Sequence, residues 1–92
     1  MNGKKANDQM INELFELISQ LNSAEDCRLL FEDLCTHKEI EQMAQRISAA
    51  KLLISGKTYQ QVTENAQISS ATLSRVSRCV RYGEGYNKFL KK

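Results

Sequence analysis

Three arginines recur at every third residue near the end of the stretch ISSATLSRVSRCVR: Arg75, Arg78 and Arg81. They are interleaved with Ser69, Ser70, Thr72, Ser74 and Ser77, and residues 68–81 contain no acid. A guanidinium is a permanent cation whose planar donor fork fits phosphate oxygens and the acceptor edge of guanine. Short hydroxyl residues donate to either target and let a backbone come close to it. This set of residues recognises an anion; it does not make or break bonds. Catalysis requires a nucleophile, a base and an orienting group in one pocket. The single histidine, His37, stands at a helix start among polar residues, and no glycine-rich phosphate loop, HExxH or paired-carboxylate motif occurs. The sequence therefore reads as a non-enzyme, with no cofactor and no metal site. Cys27, Cys35 and Cys79 are odd in number and form no CxxC pair, so they are expected to be reduced, buried, small apolar residues.

The rest of the chain supports that polarity. Its 92 residues carry a net charge of +2, which conceals a split. Residues 1–41 hold nine acids against four bases, a balance of −5, whereas residues 42–92 hold nine bases against only Glu64 and Glu84, a balance of +7. A polyanion is expected to meet the C-terminal half and to be repelled by the other. The length fits one domain spanning residues 1–92, and so short a chain has a marginal core of its own, for which pairing with a second copy is the natural remedy. Hydrophobic residues make up 41% of the chain and charged residues 26%, a globular composition, and proline is absent. No apolar run approaches the roughly 18–20 residues of a membrane span, and the polar N-terminus has no apolar signal core, so a cytoplasmic protein is expected.

Helical spacing runs through the whole sequence. Residues 1–7 are polar and expected to be loose or disordered. From Asp8, Met10, Ile11, Leu14, Phe15, Ile18 and Leu21 mark a first helix. Ser23 caps a second, whose inward side is Cys27, Leu30, Phe31 and Leu34. Thr36-His-Lys-Glu39 is a capping box opening a third helix that carries Ile40, Met43, Ala44, Ile47, Ala50 and Ile54 and stops at Gly56. It is too long and too broadly apolar for a monomer to cover. A fourth helix opens at Thr58-Tyr-Gln-Gln61, a fifth is capped by Ser69 or Ser70 and runs to about Tyr82, and a last short helix spans Tyr86 to Lys92. The fold class is all-α.

Counting Tyr59 as the first position of a helix-turn-helix over about 58–82, the fourth, eighth, tenth, fifteenth and eighteenth places are Val62, Ala66, Ile68, Leu73 and Val76. Two short crossing helices interlock through those few apolar contacts. On the second helix Leu73, Val76 and Val80 share one side, while Ala71, Ser74, Arg75 and Arg78 lie opposite with Arg81 at the edge. A small, hydroxylated, cationic side suits a helix entering a major groove ~12 Å wide. Lys57, Gln60, Ser69 and Ser70 complete the expected duplex-DNA contacts. Gln67 stands where glycine is common at the tight turn, and Thr63 where alanine is common. The competing reading is a helical protein-interaction or RNA-binding module. RNA readers offer stacking aromatics, whereas Tyr59, Tyr82 and Tyr86 are scattered and none lies on this side.

Taken together, Thr36-His-Lys-Glu39, Gln45-Arg-Ile47, Leu52-Leu-Ile-Ser-Gly56 and Ala71-Thr-Leu-Ser-Arg75 give a chain that resembles the Trp repressor superfamily over about residues 10–90, most closely its YerC-like branch. The resemblance implies an intertwined helical homodimer. Its two helix-turn-helix heads would enter successive major grooves ~34 Å apart at a roughly palindromic site, as a transcriptional regulator expected to repress. It also implies an effector pocket at Thr36, Arg46, Thr72 and Arg75, where an arginine clamps a carboxylate or stacks on an indole. Tryptophan or another small effector would sit there. Val76, in a place the family fills with glycine, argues against tryptophan. Without an effector, Arg46 would pair with Glu39, Glu41 or an acid on another helix.

Overall fold

The computed structural model describes residues 2–91. It is all-α, with six helices and no strand among the described residues: α1 Asn2–Ile18, α2 Ala24–Leu34, α3 His37–Ile54, α4 Tyr59–Ala66, α5 Ser70–Tyr82 and α6 Glu84–Phe89. The chain divides into two units, one ending at Thr36 and the other beginning at His37.

In the first unit α1 reaches back to Asn2, where residues up to Asn7 were expected to be loose. Lys4, Lys5 and Ala6 are good helix formers, and no proline stops them. Met1 lies outside the described residues. The helix ends at Ile18, short of the Leu21 read from the periodicity: Gln20 and Leu21 donate to the carbonyls of Leu17 and Ile18, both at 3.1 Å, which tightens the exit into a 3₁₀ turn. Ser23 caps α2 as expected, its Oγ accepting from the Asp26 amide at 3.0 Å. Glu25 and Asp26 add favourable charge in the first turn. The expected inward side of α2 is not hidden, however. Cys27 and Leu34 are exposed, Leu30 and Phe31 only half-buried, and no residue of α2 is buried. Nor are the cysteines buried, since Cys35 and Cys79 are intermediate. The apolar residues Met10, Ile11, Phe15, Leu17 and Leu29 are likewise exposed.

The second unit has a core. Ala49 and Ala50 from α3, Val62 and Ala66 from α4, and Leu73 and Val76 from α5 are each at most 5% exposed. Leu52, Leu53, Ile68, Val80, Tyr86 and Leu90 pack around them. Alanines at the α3 contact let the two helices of the hairpin lie close. The buried positions of α3 therefore centre on Ala49 and Ala50, whereas Ala44 and Ile47, on the broad apolar surface read for this helix, are exposed. Gly56, at φ 94°, ends α3 in the left-handed region, with its own amide bonded to Leu53 O at 3.0 Å and that of Lys57 to Leu52 O at 3.1 Å. Gly83 joins α5 to α6, and a Cβ there would lie 2.6 Å from the Cys79 carbonyl oxygen, so only glycine fits. The last helix begins at Glu84, two residues before the expected Tyr86; the Asn87 side-chain amide donates to Gly83 O at 2.7 Å and holds that early start. Lys92, expected in this helix, lies outside the described residues.

The turn between α4 and α5 rests on Gln67 at φ 56°, ψ 45°, the left-handed conformation glycine adopts without penalty. A side chain there costs about 1–2 kcal/mol, partly offset because glycine loses more freedom on folding. Gln67→Gly is therefore expected to stabilise the fold by about 0.5–1 kcal/mol, read as a rise in the denaturant midpoint. An unchanged or lower midpoint would mean that the glutamine side chain contributes to the fold what its backbone costs.

Candidate nucleic-acid interface

Each part of the α4–turn–α5 hairpin is fixed by local chemistry. Thr58 and Gln61 form a full capping box: Thr58 Oγ1 accepts from the Gln61 amide at 3.2 Å, and Gln61 Oε1 accepts from the Thr58 amide at 3.0 Å. Ser69 resolves the choice of cap for α5. Its Oγ accepts from the Thr72 amide at 3.2 Å and donates to Thr72 Oγ1 at 3.1 Å, while Ser70 is the first helical residue. The five positions that define the motif carry the hairpin's inner contacts. Val62, Ala66, Leu73 and Val76 are buried, and Ile68 packs against them.

With that side buried, the opposite side of α5 faces outward. Ala71, Ser74, Arg75 and Arg78 are all exposed at steps of three and four, which stacks them along one side of the helix, and Arg81 is exposed at its edge. Ser69, Ser70, Lys57 and Gln60 are exposed as well. Thus all nine residues expected to touch an anion are accessible. Glu64 is the one acid on α4; it accepts from Gln60 Nε2 at 3.4 Å, and α5 has no acid in its first turn. At 13 residues α5 is ~20 Å long, and a helix diameter of ~10–12 Å matches the width of a duplex major groove. Tyr59 behaves differently from a free phosphate donor: its hydroxyl donates to Ser77 Oγ at 2.6 Å.

A cavity of about 440 Å³ opens beside this surface, between α3 and the start of α5. Arg46, Thr72 and Arg75, three of the four expected effector residues, line it together. Thr36 belongs to the other unit. Val76 is not among the lining residues, because its side chain is in the core. The glutamines that share the wall, Gln42, Gln45 and Gln67, were not anticipated. Gln42, Gln45 and Arg46 lie at i, i+3 and i+4 on α3, the one signal that could have grouped them. The lining holds two cations and no acid. Glu41, one of the acids considered for Arg46, instead lies 4.0 Å from both His37 Nε2 and Lys38 Nζ, exposed contacts worth little. Groups of acids, histidines and cysteines able to hold a metal are absent among the described residues. No helix there is long and apolar enough to cross a membrane.

Known proteins share this arrangement. Uncharacterized protein YerC of Bacillus subtilis is 40% identical over 79 residues, covering 86% of this chain and 76% of its own. The crystal structure of a candidate Trp repressor from Staphylococcus aureus superposes with a TM-score of 0.82 at 35% identity, over 96% of this chain and 88% of that one. A TrpR-like protein from Eubacterium eligens gives 0.83 at 36% identity, over 91% and 94%. The family model described as Trp repressor protein matches residues 9–92. By the family model over nearly the whole chain and by these relatives, the chain belongs to the Trp repressor family of DNA-binding transcriptional regulators.

Proposed function

We propose that this protein is a sequence-specific duplex-DNA regulator that acts as a homodimer and represses by occupying its site. The observation that carries the reading is the sidedness of α5: Leu73, Val76 and Ser77 are buried, while Ala71, Ser74, Arg75 and Arg78 are exposed. Arg75 and Arg78 read base edges, Ser74 and Ala71 permit close approach, and Lys57, Gln60, Ser69, Ser70 and Arg81 hold phosphates. Dimerisation is supported by the exposed apolar residues of α1 and α2 and by Ile47 on α3, which leave large hydrophobic side chains in water in a single chain. Two heads one helical turn apart then require a roughly palindromic site.

The cavity beside Arg75 favours a second element, control by a small anionic effector held by Arg46, Thr72 and Arg75. Tryptophan remains the family's candidate for that place. Fluorescence anisotropy on duplexes enriched from genomic fragments tests both points. Binding is expected to weaken by at least tenfold between 50 and 200 mM salt, since several phosphate contacts release counterions. Absence of duplex binding at either salt would move the reading to a helical interaction or RNA-binding module. Repeating the titration with L-tryptophan separates a tryptophan-gated regulator, whose affinity rises, from one that ignores it.

A further inference from the structure

We infer that the hydrogen bond from Tyr59 to Ser77 is a brace that sets the angle at which α5 meets DNA, making both positioning residues for site discrimination; this rests on the duplex-binding reading. Ser77 is the one polar residue in the buried set among the described residues. It lies on the inner side of α5, seven residues or ~10 Å from the helix start, and cannot touch a duplex lying on the outer side. Tyr59 is the first residue of α4, at the end of the hairpin farthest from the turn. Its backbone is held by the Thr58–Gln61 capping box, and its hydroxyl reaches Ser77 Oγ at 2.6 Å across 18 residues of sequence. The turn at Gln67 closes one end of the hairpin and this bond closes the other.

The buried residues that α4 and α5 bring to the shared core are apolar: Val62 and Ala66 from one helix, Leu73 and Val76 from the other. Apolar burial is non-directional, so it holds the helices together without strongly resisting a small rotation or slide of one over the other. A hydrogen bond has a narrow range of distance and angle. Arg78 follows Ser77 directly, so the bond that fixes one side of this helical turn also fixes where the Arg78 guanidinium begins. Bidentate reading of a base edge depends on that position, whereas attraction to phosphate varies smoothly with it.

The test compares wild type with Tyr59→Phe, Ser77→Ala and the double variant. Affinity is measured for an enriched duplex and a scrambled duplex of equal length at one salt, alongside thermal stability and the salt dependence of binding. The enriched-to-scrambled affinity ratio is expected to fall roughly three- to tenfold in each single variant, the equivalent of one neutral hydrogen bond. The double variant should lose no more than a single, with scrambled binding and salt dependence unchanged. A lower melting temperature with an unchanged ratio would overturn the inference and leave the bond a plain stabiliser. A loss confined to Tyr59→Phe, with a shallower salt dependence, would overturn it by making Tyr59 a phosphate contact. If wild type binds no duplex at all, the DNA reading fails and takes the inference with it. If wild type discriminates while all three variants discriminate equally well, the inference fails alone.

Discussion

Arg75→Ala combined with Arg78→Ala is expected to weaken binding to an enriched duplex by at least a hundredfold while leaving helix content and oligomeric state intact. Each arginine that reads a base edge contributes roughly 1–3 kcal/mol, and a dimer would lose four of them at once. Both side chains are exposed on the outer side of α5, so their removal opens no cavity in the core. Arg75 also lines the cavity next to α3, which gives the single variants a diagnostic difference. Arg78→Ala should reduce DNA affinity alone, whereas Arg75→Ala should also change any response to an anionic effector. Anisotropy titrations read the affinity, circular dichroism the fold, and analytical ultracentrifugation the assembly. A double variant that binds as well as wild type would show that α5 is not the reading helix.

Leu73→Ala is expected to destabilise the protein by about 2–5 kcal/mol, the cost of deleting a buried leucine when the surroundings only partly collapse. Leu73 is 1% exposed and is among the largest fully buried side chains, meeting a core otherwise made of alanines and valines. A domain of this size has roughly 5–10 kcal/mol of total stability, and the variant should be partly unfolded near physiological temperature. Urea denaturation monitored by circular dichroism measures the change. A loss below 1 kcal/mol would mean that the hairpin is held mainly by something other than this cluster. The two substitutions thus test one helix on two sides, the outer side proposed to bind DNA and the inner side buried in the core.

The hairpin was readable from the sequence because everything that defines it is local. Val62, Ala66, Leu73 and Val76 fall at fixed intervals, and Thr58 and Ser69 are caps whose partners stand three residues away. Where local rules run out, the reading drifts. Ala49 was missed because alanine carries little hydropathy, and its burial depends on which helices cross α3 there. The apolar spacing of α1 and the inward side assigned to α2 rest on periodicity, which identifies an apolar stripe but not whether one chain can cover it. The ends of α1 and α6 moved by two to six residues, because residues without an apolar stripe, such as those before Asp8, still extend a helix once it exists. Arg46, Thr72 and Arg75 line one cavity with glutamines that the family resemblance did not imply, since a cavity wall is set by neighbours in space. The Tyr59–Ser77 pair, 18 residues apart, has no signature in one dimension.

The absence of any buried residue in α2, together with the exposed apolar side chains of α1, carries a consequence for dosage. A segment that obtains its interior only from a second chain is ordered in proportion to how many chains are present. Under the proposed assembly, occupancy of a palindromic site scales with the square of protein level when subunits are scarce and only linearly once pairs dominate. Such a regulator reports its own abundance: below a threshold the gene it controls is unaffected by it, and above that threshold a modest rise in synthesis silences the gene sharply.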